Sequence, residues 1–452
     1  MIRDMIDTHP MSRYQLRVVA FCCILAAAEG YDILVMSFAA SGAAAEWGLR
    51  SSQLGLLLSS GLIGMAVGSA VLAPFADRIG RRRLSLFCLL AINAGMTIGT
   101  FSADAVQLGA ARVLTGLGIG GLAAGLPVLV AEFAPQARRA TMIALLTTGT
   151  PLGGVVGGLV ATSTFGWRAL FAVGMGLTLL MMVFALWLMP ESLEYLAAKN
   201  PPRALERING LLPKMGLAPL AAMPVADSAA AARTGTVRAI FSGRTGVLTA
   251  LLWLAFFIAT ASYYFAASWT PRLLVESGLS KGQAATGGLL LSLGGVIATV
   301  GFALLALKAD KRRLTSAGFI GCAIAFAAVS AVMHGGLVGV LLTTTFLGLF
   351  LNAAGAGMYT IAPDIYPANV RATAMGWAAT AARIGGILAP ALVGVLLDLQ
   401  WTPRVLFLLF AAPTLVAAIA VVVRTRPSNP VAATPPSGTP SETASSAETA
   451  SS

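Results

Sequence analysis

The chain has 452 residues, of which 57% are hydrophobic and only 11% charged, and its formal net charge is +12. Soluble domains carry about a quarter charged residues, so this balance excludes a water-soluble globular protein. The apolar excess falls in runs of roughly 18 to 28 residues, long enough to cross a bilayer core of about 30 Å as helices, and the sequence reads as an all-α, polytopic membrane protein.

Residues 1–17 are polar, and the apolar run that follows is too long for a signal-peptide core, so no cleavage is expected. The first predicted span is Val18–Ala45. It contains the stretch AEGYDILVM, with two carboxylates, Glu29 and Asp32, inside the apolar run. Glu29 lies roughly 16 Å along the helix at 1.5 Å per residue, and the i, i+3 spacing places both acids on one face. A charge at that depth costs a few kcal/mol. A structural, hydrogen-bonded pair is one reading. The functional one is a proton-binding pair that faces a central cavity, shares a proton and titrates as a unit. Gly30 between the acids permits close helix approach.

Leu54–Ala76 is the second span, followed by the loop Asp77, Arg78, Gly80, Arg81 and Arg82. Spans three to six are Leu84–Phe101, Leu108–Phe133, Thr141–Ser163 and Trp167–Met189. Arg112 lies near the outer end of span four, as a gating, structural or substrate-binding cation. Glu132 marks that span's inner end, with Arg138 and Arg139 just beyond. Residues 18–189 form the first half. The segment 190–246, rich in Ala, Pro and Arg, is a central loop.

The second half, 247–424, opens with Val247–Thr270. Its SYYFAASWTP stretch holds Tyr263, Tyr264, Phe265 and Trp269. Trp269 is expected to anchor at the membrane interface, and Tyr263 or Tyr264 to line the cavity. Gln283–Leu307, Leu314–Met333 and Leu337–Ala362 follow. Asn352 and Tyr359 in the last of these, two turns apart, are further cavity candidates. Asp364 and Arg371 flank the next connection. Span eleven, Ala372–Leu397, contains Arg383 in AARIGGILAP, with no acid near it in sequence. A guanidinium presents a planar fork suited to a carboxylate, so Arg383 is the candidate for binding an anionic substrate, unless it serves a structural ion pair. Val405–Val423 is the last span, and 425–452 is a low-complexity tail expected to be disordered.

The basic residues are not spread as a nucleic-acid surface would require. Arg3, Arg13, Arg17, Arg78, Arg81–Arg83, Arg138, Arg139, Lys311–Arg313, Arg371, Arg424 and Arg426 all fall on one side, with most of those of the central loop. The other side has Arg50, Arg168, Arg272, Lys281 and Arg404. That positive-inside bias places both termini in the cytoplasm. Cys22, Cys23, Cys88 and Cys322 lie in apolar runs and read as buried small hydrophobes. His9 and His334 have no metal-ligand companions, and no zinc spacing or P-loop is present.

The two halves repeat. EFAPQARRAT (Glu132–Thr141) aligns with DIYPANVRAT (Asp364–Thr373), ADRIGRRRL with ADKRRL, and GWRALF with WTPRVLF. Six spans per copy keep both copies in the same orientation, with a site expected at the midplane between them. The symmetry of Glu132 and Asp364 suggests charge-relay latches with Arg138, Arg139 or Arg371.

GSAVLAPFADRIGRRR, RVLTGLGIGG, PESLEYL and the two P-x-x-x-R-A-T segments resemble the major facilitator superfamily over nearly the whole chain. The resemblance implies twelve helices in two pseudo-symmetric six-helix halves. It also implies that Asp77, Arg78, Gly80 and Arg81 form a conformational latch, in which Asp77 caps or pairs with a neighbouring helix end. EGYD in span one, YF-x-x-x-W-x-P in span seven and RIG in span eleven are similar to the aromatic acid:proton symporters, whose first acid is more often Asp than Glu. That similarity implies uptake of a benzoate-like carboxylate with protons, by a monomeric carrier of the bacterial inner membrane that uses no cofactor. Asp32, helped by Glu29, would carry the proton and Arg383 the carboxylate. A sugar, polyol or other organic-acid symporter, proton-driven drug efflux and a transporter-like receptor are the competing readings. PESLEYL resembles the sugar-porter loop, but the second half has no matching PET motif.

Overall fold

The computed structural model describes residues 2–163, 166–223, 243–333, 335–362, 366 and 368–422, with backbone alone at 73, 243–245 and 368–372. Twelve helices are long and apolar enough to span a membrane. They are Arg13–Trp47, Ser51–Val71, Arg81–Thr100, Ala105–Phe133, Gln136–Ala161 and Trp167–Leu188, then Gly246–Glu276, Lys281–Leu305, Lys311–Val332, Leu337–Ile361, Thr373–Asp398 and Pro403–Val422. These match the predicted spans to within a few residues. Span one starts earlier because Ser12 and Gln15 form a capping box, which satisfies backbone N–H groups at its first turn. Span seven runs on through Pro271.

Within the first half, span one packs on five, two on four, three on four and three on six. The same pairings recur as seven on eleven, eight on ten, nine on ten and nine on twelve. The halves meet through spans two and eleven, five and eight, and one and seven. Below, the basic face is the one carrying Arg81–Arg83; the opposite face carries Arg50 and Asp398.

Small residues set the closest crossings, as expected where van der Waals packing drives helix association. At Gly30 a side chain would collide with the carbonyl of Thr150 and stand 3.0 Å from the Gly154 nitrogen. At Gly153 it would strike the Ala27 carbonyl. Spans one and five are thus locked backbone to backbone beside Glu29. Gly30→Ala is expected to destabilise the protein by about 1–3 kcal/mol, as overpacking does, and Gly30→Val to abolish folded yield. Thermal unfolding in detergent measures this, and an unchanged midpoint for both would refute the contact.

The central loop is not featureless at its start. Leu193–Lys199, Ala204–Leu211 and a 3₁₀ turn at Pro213–Met215 pack beneath the first half. Leu193, Leu196, Ile208, Leu212 and Met215 are buried there, and Lys214 lies over the Tyr14 ring at 5.6 Å. The polar N-terminus also folds: Ile2–Thr8 is a helix whose Ile6 is buried.

Candidate functional site

The two acids of span one part company. Asp32 is 1% exposed and Arg112 3%. The guanidinium grips the carboxylate in a fork: Nη2 donates to Oδ2 at 2.9 Å, and Nη1 pairs with Oδ1. Gly61 makes room for the arginine, since a Cβ there would lie 2.8 Å from Nη2. Arg112 was expected as a cation near the outer end of its span, with substrate binding among its roles. Its fork is filled by Asp32 instead, which cancels two charges that would each be costly alone.

Glu29 turns the other way. Three residues fall about 0.6 residue short of a full helical turn, so the side chains diverge by about 60°. Its carboxylate accepts from Thr150 Oγ1 at 3.4 Å and interacts electrostatically with Asp32 and Arg383. The expectation of one proton shared within a carboxylate pair therefore gives way to two acids with different partners. Around Glu29 stand Tyr263, Tyr264 and Tyr359, each within its electrostatic reach, and Arg383 reaches Tyr264 and Tyr359 as well. Tyr263 and Tyr264 meet edge to face at 5.3 Å, and Tyr359 meets Phe256 at 5.2 Å. Arg383 has no ion-pair partner within 4.0 Å among the described residues. Tyr359 is 58% exposed although it lies near these interior charges, so protein does not fully cover the aromatic wall on that side.

Among the described residues, Asn352 makes no hydrogen bond to this group. Its amide donates to the Gly348 carbonyl at 2.9 Å and abuts Gly295 of span eight. Trp269 is fully buried, not interfacial, and its indole N–H donates to the Pro390 carbonyl at 3.2 Å. A span seven longer than expected carries Trp269 into the packed interior.

The described residues of the two halves are hydrogen-bonded toward the opposite face. Among the described residues, the hydrogen bonds joining the halves are Ser37 Oγ to Ser268 O, Ser51 and Ser52 N–H to Asp398, and Ser59 Oγ to Ile387 O. All lie between the midplane and the opposite face.

At the basic face the latch residues have other partners than expected. Arg81 approaches Glu132 at 3.1 Å and Asp77 at 3.9 Å. The side chain of Asp77 is 78% exposed and caps no helix among the described residues. Gly80 has φ of 95°, a conformation that favours glycine, and a Cβ there would run into the Glu191 carboxylate, which accepts from Arg82 N–H at 3.0 Å. Tyr195 OH donates to the Arg78 carbonyl at 3.4 Å. Arg139 pairs with Asp7 at 3.5 Å rather than with Glu132, because the N-terminal helix intervenes. Arg3 caps the end of span four by donating to the carbonyls of Ala131, Glu132 and Ala134. Arg3, Asp7, Glu132 and Arg139 line a cavity of about 330 Å³ with Gln136 and Glu194, all of them residues of the N-terminal helix, the first half or the segment beneath it. Asp364, His334 and the side chain of Arg371 lie outside the described residues.

Sequence comparison decides the family. The profile of the Major Facilitator Superfamily matches residues 20–343 and 311–449. The chain belongs to that superfamily. Like other members of the Major Facilitator Superfamily it is a transporter and not an enzyme, a multi-pass protein of the inner membrane. It is 31% identical to the 4-hydroxybenzoate transporter PcaK of Pseudomonas putida, over 94% of this chain and 95% of that one. It is 28% identical to the gallate transporter of the same organism, over 93% and 94%. Its fold matches the crystal structure of a D-xylose–proton symporter with a TM-score of 0.72, covering 90% of this chain and 97% of that one at 17% identity.

Residues missed from sequence include Thr150, Asp7 and Asp398. Thr150 could have been flagged as a hydroxyl residue in the glycine-rich GTPLGG run of span five. Asp398, a lone acid at a span end, gave no signal.

Proposed function

We propose that this transporter imports a small aromatic carboxylate, of the benzoate or hydroxybenzoate class, together with protons. The basic face is the cytoplasmic one and carries both termini, and the carrier works as a monomer without a cofactor. The observation that carries the reading is Arg383, a cation with no acid within 4.0 Å among the described residues, within electrostatic reach of Glu29, Tyr264 and Tyr359, with Tyr263 adjoining. The guanidinium takes the substrate carboxylate, and the tyrosine rings provide offset and edge-on contacts for a planar ring. Relatives that transport 4-hydroxybenzoate and gallate support the same substrate class.

Two acids divide the proton work. In the empty site Glu29 balances Arg383. A bound carboxylate would put a second anion beside Glu29, so substrate and proton arrive together. Asp32 and Arg112 form a buried fork within the first half while the opposite face is shut. A proton taken up by Asp32 when the opposite face is open breaks that fork and frees Arg112.

The test is uptake into proteoliposomes under an imposed gradient, acidic outside. Labelled 4-hydroxybenzoate is expected to accumulate, a protonophore to collapse the accumulation, and benzoate but not xylose to compete. Equal uptake with and without the gradient would remove proton coupling. Absence of uptake across a panel of aromatic acids would remove the substrate class.

A further inference from the structure

Spans two and eleven run antiparallel along the seam between the halves, so the C-terminal end of each lies beside the N-terminal end of the other. Asp398 is the last residue of span eleven. Its Oδ1 accepts the backbone N–H of Ser51 at 2.9 Å, and its Oδ2 that of Ser52 at 3.0 Å. These are two of the N–H groups that the first turn of a helix cannot satisfy internally. The residue at the N-cap position of span two is Arg50, whose side chain gives no cap hydrogen bond. The cap is therefore supplied across the seam, by the other half of the molecule, and its negative charge also suits the positive end of the helix dipole.

Below this cap the seam is closed by backbone contact. A Cβ on Gly55 would fall 2.6 Å from the Pro390 carbonyl oxygen, and one on Gly394 would strike the carbonyl of Ser51. Ser59 Oγ donates to the Ile387 carbonyl at 2.7 Å. These contacts cannot persist if the halves part at the opposite face. At the other end of the same helix pair, the acid that follows span two, Asp77, has its side chain 78% exposed.

We infer that Asp398 is the latch of the opposite-face gate. When the opposite face is shut, Asp398 caps span two across the seam; when the halves part there, Asp398 lets go. The latch at Asp77 that the family resemblance implies lies at the other end of the same helix pair and is no part of this inference. Asp398 is thus a positioning residue for transport; it sets which face is open and touches no substrate. The inference rests on the alternating-access reading above, but on neither its substrate nor its proton.

The test is a distance measurement on purified protein. Val106 and Val338 are 82% and 69% exposed at the opposite face of the first and second halves. Spin labels at V106C and V338C, in a background with the four native cysteines replaced by alanine, report the gap by double electron–electron resonance. Asp398→Ala is expected to raise the long-distance population about fivefold, the size of effect a lost helix cap produces. Asp398→Ser, which keeps a cap acceptor, is expected to fall near the wild-type distribution, and it guards against a folding defect in the alanine variant. A distribution for Asp398→Ala that superimposes on wild type would overturn the inference, as would one for Asp398→Ser that matches Asp398→Ala. The measurement uses no substrate and no gradient, so its failure is distinct from a failure of the uptake assay.

Discussion

An Asp32→Asn protein is expected to lose proton-driven accumulation by at least about a hundredfold, while retaining exchange of internal for external substrate. The asparagine mimics a permanently protonated Asp32. It cannot hold Arg112 in a charged fork, so the step that requires the fork to form and dissolve with a proton disappears. Exchange needs only the loaded carrier to rock and is spared. The same substitution also carries a stability cost, because it leaves Arg112 buried at 3% exposure without its counter-charge. Breaking one partner of a buried ion pair typically costs about 3–5 kcal/mol. The double variant Asp32→Asn, Arg112→Gln removes both charges and is expected to recover most of that stability but none of the accumulation. Uptake, counterflow and thermal unfolding on the single and double variants measure these together. Wild-type accumulation by Asp32→Asn would eliminate the residue as a proton carrier. Restored accumulation in the double variant would likewise eliminate Asp32 as the carrier and leave the pair a purely structural one.

Fold and site differ in how much of each the sequence displays. Span lengths follow from apolar runs that must cover the bilayer core, and the twofold repeat of six spans follows from paired motifs such as EFAPQARRAT and DIYPANVRAT. Both are local or periodic properties. The Asp32–Arg112 fork is neither. It depends on how spans one and four are staggered in depth and rotated about their axes, and the loops that fix this carry no trace of it. Trp269 shows the same limit: one extra helical stretch past Pro271 moves it from the interface to the core. The short helices beneath the first half were hidden because Leu193, Leu196 and Ile208 sit in a segment whose composition otherwise reads as loop. Conversely, Glu29, Arg383 and the tyrosines were legible one by one, since each is a polar group in an apolar run. Only the packing of spans one, seven, ten and eleven brings them to a common space.

That common space makes its own demand on charge. Arg383 with ionised Glu29 is neutral, and Arg383 with a bound carboxylate and protonated Glu29 is neutral too. The arrangement with both anions present leaves an excess negative charge in a partly desolvated site, where unlike and like charges interact far more strongly than in water. Substrate binding therefore draws one proton onto Glu29, and the apparent affinity for an aromatic carboxylate is expected to fall about tenfold per pH unit once Glu29 is ionised in the empty carrier. In Glu29→Gln the competitor is gone. Affinity should then be high and nearly independent of pH, while accumulation driven by the gradient declines. Arg383→Lys keeps the charge but loses the planar fork and is expected to weaken binding about tenfold or more; Arg383→Gln should abolish it. Calorimetric titration of purified protein with 4-hydroxybenzoate from pH 5 to 8 separates the cases. Equal pH slopes for wild type and Glu29→Gln would show that the proton goes elsewhere, with Asp32 the remaining intramembrane acid to receive it. Unchanged affinity in Arg383→Gln would move the carboxylate site away from span eleven altogether.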